Sequence, residues 1–306
     1  MSVVVPTKDR WELLSRHGLR AALLQEGVDV EVVVVDDGST DETPARLGRF
    51  PDDRVRTVRH ERSLGQAAAR NAGVGEARAP WVAFLDDDDL WAPGKLRDQL
   101  EASERAGADF AWSSVAVVDP TLSVVEIVEA PPAEGIARTL LERNVLRAGS
   151  STVLARTAAV RRSGGLDPRL DELADWDLWI RLALAGRGAS CPDVHVGYLV
   201  HPGNRRTVDD GDVVAEYEYL RRKHAKATSR LGVTEGPVQF SRWLAMGHRR
   251  RGERVRAAQV YLRSGVEHRN AGSLVRAGAA LLGERAFEAR RRLSERPRPA
   301  WLDLYR

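Results

Sequence analysis

Three shortages in the sequence each exclude a class of protein. The 306 residues include one cysteine, Cys191, so no disulfide can form within the chain and a reducing compartment is expected. No run approaches the roughly 20 apolar residues that a membrane-spanning helix needs. The first apolar run ends after a few residues at Lys8 and Asp9, which does not match a signal peptide. We therefore expect a cytoplasmic protein, either soluble or peripheral at the inner face of the membrane.

The chain also has no large overall excess of charge of one sign, but its charges are unevenly distributed along the sequence. The 47 basic and 44 acidic residues leave a net charge of +3, which gives no general case for nucleic-acid binding. Residues 213–306, however, contain 21 basic and 9 acidic residues, a net charge of +12, and the preceding residues have a net charge of −9. We expect two regions with different partners, a first domain over 1–212 and a basic α-helical region over 213–306.

Short apolar runs alternate with helix-like segments in the first half of the chain, which is typical of an α/β fold. The runs that lack period-2 alternation, and so suit strands covered on both faces, are 2–5, 30–35, 55–58 and 81–85. The helix-like segments are 12–25, 43–50, 64–77 and, with Pro93 in its first turn, 93–106. This alternation predicts a mostly parallel central sheet, with right-handed crossovers and helices on its faces.

The rest of the chain is less regular. We expect strands over 110–118, 151–154 and 194–200, a helix over 173–184 and an acidic, proline-bearing loop over 124–135. From Val213 onward the pattern predicts helices, broken near 232–237, Gly252 and Gly272.

Polar residues cluster directly after three of the predicted strands, in the segments 7–10, 36–41 and 86–89. Ligands of open α/β sheets bind beyond the carboxyl ends of the strands, so we expect these three loops to meet at one crevice. In the second segment, residues 39–41 can cap the following helix, whereas Asp36 or Asp37 could accept a hydrogen bond from a nucleobase.

The third of these loops contains four consecutive carboxylates, at positions 86–89. Such charges repel one another unless positive charge lies close by, and a hard divalent cation such as Mg²⁺ or Mn²⁺ would supply it. The alternative is a solvated acidic turn before the helix that begins near Pro93. The segment 65–73 also has two interpretations. Its small residues could pack against the sheet, but its Arg70 is a natural partner for a diphosphate.

Taken together, these segments resemble the family 2 glycosyltransferases of the GT-A fold. The resemblance covers about residues 2–204, and the order and spacing of its motifs are specific. The motifs are VVVPTKDR (3–10), DDGSTD (36–41), ARNAG (69–73), DDD (86–88), GGLD (164–167) and DWDLWIRL (175–182).

This resemblance implies an inverting transfer of a sugar from a nucleotide diphosphate sugar, first of all a UDP-sugar, to a hydroxyl of a glycan or lipid-linked glycan. It implies a Mn²⁺ or Mg²⁺ cofactor and a place in polysaccharide biosynthesis for the cell envelope. Its motifs place Asp175 as the general base and Asp88 with His201 at the cation. The nucleotide-binding residues that it implies are Pro6, Thr7, Lys8, Asp37, Arg70, Asp86 and Asp87.

One position departs from the family pattern. Relatives have Glu-Asp where this chain has Ala174-Asp175, so a catalytic carboxylate could also come from Glu172 or Asp177. Asp175 and Asp177 are two positions apart on the predicted helix, so only one of them can face the site. Because this Glu is missing, a second hypothesis is that the protein is an inactive subunit that binds a nucleotide sugar. A sugar-phosphate nucleotidyltransferase is disfavoured because no glycine-rich, basic phosphate loop follows the first strand.

The basic region from Val213 onward contains arginine clusters at 249–251 and 290–292 among many alanines. One interpretation is a helical appendage with solvated basic faces, packed on the first domain or on a second copy of the chain. Another is docking on an anionic membrane, which would suit a lipid-linked acceptor. Nucleic acid is not expected as a partner, since aromatic residues are not interleaved with the basic ones.

Overall fold

The computed structural model describes residues 1–146, 148–201, 210–233, 237–283 and 298–306. The end of the resembling segment, at 202–204, and the arginine cluster at 290–292 lie outside the described residues. Contacts divide the chain into two compact units. The first comprises Met1–Leu140, Asn144–Lys223 and Pro297–Arg306, and the second comprises Leu141–Arg143 and His224–Arg296. The domain boundary expected near residue 212 remains a proposal.

A mixed sheet forms the centre of the first unit. Among the described residues its nine strands are β1 (Ser2–Thr7), β2 (Glu31–Asp36), β3 (Val55–Arg59), β4 (Trp81–Phe84), β5 (Leu90–Trp91), β6 (Phe110–Val118), β7 (Val124–Val128), β8 (Val153–Arg156) and β9 (Gly188–Leu199). The strand order is β3-β2-β1-β4-β8-β6-β9-β5, and β7 pairs with β6 beside this path. The α/β class expected from the sequence is confirmed.

The first four strands are parallel, as the apolar runs predict. Val3 pairs with Val32 and Val4 with Phe84, and all six residues of β1 are buried because helices cover both faces of the sheet. The parallel arrangement brings the carboxyl ends of β1, β2 and β4 to one edge, where the polar loops begin.

The second half of the sheet is partly antiparallel and differs from the prediction in two of its strands. The expected loop over 124–135 is wrong for its first five residues, which form β7 and pair antiparallel with β6, with Val115 opposite Val128. The four apolar side chains of VVEIV favour a strand in spite of Glu126, and both prolines and the other two acidic residues of the segment follow after it. Strand β9 begins at Gly188, six residues before the expected start at 194.

Helices cover the sheet and connect its strands. In the first unit they are α1 (Trp11–Leu13), α2 (Leu19–Leu23), α3 (Thr43–Leu47), α4 (Gln66–Glu76), α5 (Lys95–Ala106), α6 (Ile136–Glu142), α7 (Thr157–Arg162), α8 (Ala174–Ala185) and α9 (Asp210–Arg230). The last residues of α6 and of α9 belong to the second unit. A π-helical turn, Leu14–Gly18, separates α1 from α2, so the expected helix over 12–25 is interrupted. Helix α4 packs closely on the sheet, because a Cβ at Gly73 would overlap Val4.

The second unit is helical, as expected for the basic region. It contains α10 (Pro237–Arg250), α11 (Arg254–Glu267) and α12 (Ala271–Leu282). These helices pack through small residues and one aromatic ring, namely Ala245, Ala257, Ala258, Tyr261, Ala277 and Ala280. Within the described ranges, no helix has the length and apolar character required to cross a bilayer.

Candidate active site

The three polar loops at the carboxyl edge of the sheet contact one another. The backbone N–H of Asp9 donates to Ser39 Oγ at 2.9 Å, and Asp9 Oδ1 accepts from the Thr40 backbone at 2.6 Å. Thr7 Oγ1 donates to Asp87 Oδ2 at 2.7 Å, which joins the loop after β1 to the loop after β4. The prediction that these loops meet is confirmed.

Two arginines and a histidine lie against the carboxylates of residues 86–89, which we call the acidic loop. Arg70 Nη2, on α4, donates to Asp86 Oδ1 at 2.5 Å. Arg10 Nη1 lies 3.3 Å from Asp87 Oδ1 and 3.1 Å from Asp88 Oδ2. His201 Nε2 lies 3.2 Å from the same Asp88 oxygen. The structure thus brings together Asp88 and His201, which are 113 positions apart in the sequence.

Burial makes the concentrated negative charge of the acidic loop unfavourable. Asp87 and Asp89 are buried, and burial together with the Asp88 carboxylate raises the pKa of Asp87 to about 7. The same two causes raise the pKa of Asp89 well above its ordinary value. Both groups therefore retain protons at a pH at which an exposed aspartate is ionised. A bound cation would stabilise their ionised forms.

A divalent cation fits the donor groups gathered at this loop. Carboxylate oxygens are the ligands that Mg²⁺ and Mn²⁺ prefer, and Mg²⁺ is often held by one or two carboxylates with phosphate oxygens and water completing its shell. His17, in the π-helical turn, lies close enough to Asp88 and His201 for their charges to affect its pKa, and its buried Nδ1 has no hydrogen-bond partner within the described residues.

Asp175, at the start of α8, lies beside Arg70 and Asp86. Burial raises the pKa of Asp175 to about 6, although the Arg70 guanidinium opposes this effect. Its Oδ1 accepts from the Trp176 backbone at 2.6 Å. Gly149 permits this position, because a Cβ there would lie 2.7 Å from Asp175 Oδ2. Asp175 is half-buried, so part of the residue is accessible to solvent.

Asp177 faces away from Asp175 into a separate ion network, as the helical spacing predicts. Its Oδ2 lies 2.8 Å from Lys223 Nζ, which also lies 2.7 Å from Asp167 Oδ2. Trp176 and Trp179, three positions apart on α8, are buried in the core, and Trp176 stacks on Tyr217.

Asp37 forms a dense set of hydrogen bonds with the segment that precedes α4. Its two carboxylate oxygens lie 2.7–3.0 Å from four donor groups, namely His60 Nδ1, Ser63 Oγ, Leu64 N and Gly65 N. A carboxylate offers about four acceptor positions, so a nucleobase could bond to Asp37 only if one of these donors moved away. The contacts of Asp37 in this structure hold the loop before α4.

Two of the motifs are joined by reciprocal hydrogen bonds. Asn71 Nδ2 donates to the Leu166 carbonyl, and the Leu166 N–H donates to Asn71 Oδ1, both at 2.8 Å. A Cβ at Gly165, whose φ is +70°, would overlap the same Asn71 oxygen. The GGLD and ARNAG segments therefore contact each other directly.

Glu216, on α9, was not identified by the sequence analysis, yet it holds the segment before Asp175. Its carboxylate accepts from the backbone N–H groups of Asp171, Glu172 and Leu173 at 2.9–3.1 Å. The N-cap residue Leu173 makes no side-chain capping hydrogen bond, and Glu216 instead holds the backbone of the three residues that lead into the helix. Arg10 and His17 were also missed as site residues. Arg10 carried one signal, its place at the end of the polar segment 7–10 that follows the first predicted strand.

The remaining residues predicted for the nucleotide lie on β1 and just after it. Pro6 is buried and pairs with Val35, whereas Lys8 is exposed. The structure therefore gathers Thr7, Arg70 and the acidic loop, while Lys8 lies at the surface.

The family model that describes glycosyl transferase family 2 matches residues 2–163, more than half of the chain. The chain is 26% identical over 216 residues to the UDP-Glc:alpha-D-GlcNAc-diphosphoundecaprenol beta-1,3-glucosyltransferase WfaP of Escherichia coli, covering 70% of this chain and 82% of WfaP. It is 50% identical over 102 residues to the succinoglycan biosynthesis protein ExoO of Rhizobium meliloti, covering 33% of this chain but only 29% of ExoO.

A likeness to solved structures supports the fold. The crystal structure of S. aureus TarS residues 1–349 with UDP-GlcNAc matches with a TM-score of 0.61, 20% identity and coverage of 93% of this chain and 82% of that chain. At this identity the match shows a shared GT-A architecture.

Proposed function

Because the chain belongs to glycosyltransferase family 2 and is therefore a glycosyltransferase, we propose that it transfers a sugar, with inversion, from a nucleotide diphosphate sugar to a hydroxyl group. We propose a UDP-sugar as the donor and a glycan or lipid-linked glycan as the acceptor. The observation that carries the proposal is the position of Arg70 beside both Asp86 and Asp175. The name of WfaP, which specifies UDP-Glc and a diphosphoundecaprenol-linked sugar, supports these substrate classes.

The nucleotide would bind along the loop that follows β1. In this proposal Pro6 and Thr7 bound the base and ribose pocket, and Asp37 holds the loop that closes it. Lys8 is exposed, so its ammonium can reach a phosphate. Arg70 is bound to Asp86, which orients its guanidinium for the diphosphate. Asp86 and Asp87 contribute from the acidic loop.

Asp88 and His201 would hold the divalent cation that family 2 enzymes generally use. When bound there, this ion supplies Lewis-acid stabilisation of the charge that develops on the diphosphate. Arg10, which already contacts Asp87 and Asp88, places a further positive charge at the same location. Departure of the nucleoside diphosphate is thus favoured on the side of the sugar that faces the acidic loop.

Asp175 would act as the general base. An acceptor hydroxyl has a pKa far above neutrality, so a carboxylate must remove its proton as the oxygen attacks the anomeric carbon. The pKa of about 6 leaves Asp175 largely ionised at neutral pH and makes it a stronger base than an ordinary aspartate. A single base opposite the leaving group gives one displacement, and therefore inversion.

The variant Asp175→Asn tests this assignment. We expect it to lower the transfer rate at least about 10²-fold, the contribution typical of a general base, and to leave UDP binding in the presence of Mn²⁺ unchanged. Glu172→Gln, which removes the neighbouring alternative base, should keep most of the activity. Near-normal transfer by Asp175→Asn, or loss of transfer in Glu172→Gln alone, would contradict the assignment.

We also propose that the second unit contacts an anionic membrane. Helix α11 exposes Val255, Leu262 and Val266, spaced for one face, and α12 exposes Leu274, Val275, Leu281 and Leu282. Each arginine on these helices would contribute about 1 kcal/mol to the free energy of binding to an anionic surface. Exposed apolar side chains among basic ones are typical of interfacial helices. Such contact would bring the enzyme to a lipid-linked acceptor.

A further inference from the structure

A group of side chains that could ligate a metal ion lies on strand β9, outside the acidic loop. Cys191, Asp193 and His195 each offer one ligand atom, and these three atoms all lie within 4.8 Å of one another. Cys191 and His195 are buried, whereas Asp193 is exposed and gives an ion access from solvent. None of these residues takes part in the proposed sugar transfer.

The strand geometry explains why these three residues lie together. The pairing of β9 with β6 is irregular here, since Ser113 is opposite Cys191 while Ser114 is already opposite Val194. Pro192 and Asp193 therefore stand outside the ladder as a bulge, and Pro192 has no N–H to contribute to it. Bulges of this kind redirect side chains, and this one directs the three donor groups to one point.

His195 is held in the tautomer that a metal ligand requires. Its Nε2 lies 2.9 Å from Asp98 Oδ2 on α5, so the ring proton is on Nε2. The lone pair of Nδ1 then points toward Cys191 Sγ, 3.8 Å away. A carboxylate behind a metal-binding histidine is the usual outer-shell arrangement of zinc sites.

The distances fit a tetrahedral zinc ion. Zinc bonds of about 2.3 Å to sulfur and about 2.05 Å to nitrogen place these two atoms about 3.6 Å apart at a tetrahedral angle. The observed Sγ to Nδ1 distance of 3.8 Å is within a small adjustment of this value. Thiolate, imidazole and carboxylate together are donors that select zinc rather than Mg²⁺.

A nearby lysine is compatible with such an ion. Lys95 Nζ is buried, donates to Gln99 Oε1 at 2.7 Å and lies 4.0 Å from the centre of the Trp91 ring. Burial lowers the pKa of Lys95 well below its ordinary value, so its amine need not oppose a bound cation with a positive charge.

From this geometry we infer that Cys191, Asp193 and His195 form a zinc-binding site that fastens the bulge of β9, with Asp98 orienting His195. Binding converts the Cys191 thiol to a thiolate and releases its proton to solvent, and water completes the tetrahedral shell. This inference does not rest on the proposed function.

Cobalt substitution tests the site directly, because Cys191 is the only cysteine of the chain. We expect the 306-residue chain to bind Co²⁺ at this site with a near-ultraviolet thiolate-to-cobalt charge-transfer band, which Zn²⁺ titrates away. The band should disappear in Cys191→Ser. Zinc affinity should fall at least about tenfold in Asp193→Asn, an exposed position that poses little risk to folding, and about 10–100-fold in Asp98→Asn.

The charge-transfer band of a variant in the acidic loop serves as the control. Asp88→Asn alters the proposed catalytic cation site and should keep the charge-transfer band, which separates the two sites. Absence of the band in the folded wild-type chain, or equal zinc affinity in wild type and Asp193→Asn, would overturn the inference.

Discussion

At the scale of single residues, the contacts of Asp37 separate a structural role from a binding role. Burial raises the pKa of Asp37, but the hydrogen bonds from Leu64, Ser63, His60 and Gly65 outweigh it and leave the pKa below its ordinary value. The ionised carboxylate is therefore stabilised by its own loop.

Asp37→Ala should lower the free energy of unfolding by about 2–4 kcal/mol, because several partly buried donors lose their acceptor. Chemical denaturation measures this loss, and Asp53→Ala, which removes an exposed acid, serves as the control. Unchanged stability combined with weaker UDP binding would instead show that Asp37 acts through the base.

The activity of the enzyme should depend on pH through Asp175. Its pKa of about 6 means that the carboxylate becomes protonated, and inactive as a base, as the pH falls below that value. We therefore expect kcat/KM to rise about tenfold per pH unit up to about pH 6 and to level off above it. A kcat/KM that is constant between pH 5 and pH 8 would be inconsistent with this role.

At the scale of secondary-structure elements, α9 binds the backbone of the segment that leads into α8. Because Glu216 accepts three backbone N–H groups just before α8, it fixes the segment that leads to Asp175. A hydrogen bond of this kind to a charged group contributes about 1.5–3 kcal/mol.

Glu216→Ala should therefore lower kcat several-fold while leaving KM for the donor nearly unchanged, since Glu216 does not touch the nucleotide loops. Glu216→Gln keeps one acceptor oxygen and should recover part of kcat. The matched control is Glu218→Ala, which removes an exposed glutamate two positions further along α9. An equal loss of activity in the Glu218 variant would show a general effect of α9.

The elements differ in how far the sequence could predict them. The buried parallel strands have continuous apolar runs, so β1, β2 and β4 and the loops after them were predictable. The π-helical turn at Leu14–Gly18 was not, because its apolar spacing differs little from that of an α-helix. Glu216 acts on residues 43–45 positions away, and no local pattern reports such a contact. Asp88 and His201 were paired only by the family resemblance.

At the scale of the whole molecule, the proposed cation at the acidic loop would affect stability. In the absence of a cation, Asp87 and Asp89 bind more protons in the folded than in the unfolded chain, because their folded-state pKa values are raised. Their protons therefore contribute fully to stability below about pH 4, the pKa of an aspartate in the unfolded chain. For Asp87 this contribution is lost as the pH rises through about 7, its pKa in the folded chain.

A divalent cation would replace these protons, so Mn²⁺ should raise the melting temperature more at pH 8 than at pH 5. Differential scanning fluorimetry at both values measures the effect. Asp87→Asn should reduce the difference, and Asp119→Asn, in a turn after β6, should not. An increase that is the same at both pH values would argue against a cation at the acidic loop.

The second unit should bring the molecule to anionic vesicles. We expect flotation with vesicles that contain phosphatidylglycerol and none with neutral vesicles, with binding weakened by salt. Val266→Ser combined with Val275→Ser should reduce flotation, because these side chains are 67% and 68% exposed, whereas Leu304→Ser in the first unit should not. Flotation that is independent of lipid charge and of these residues would reject the proposed surface.

The central claim is that the acidic loop, Arg70 and Asp175 surround the diphosphate of an activated sugar. Anomalous scattering from Mn²⁺ in crystals grown with UDP tests it most directly. We predict a manganese peak about 2.1–2.3 Å from an Asp88 oxygen and from a diphosphate oxygen, with the β-phosphate beside Arg70. A manganese peak away from the acidic loop, or UDP bound where Arg70 and Asp175 cannot reach it, would contradict the claim.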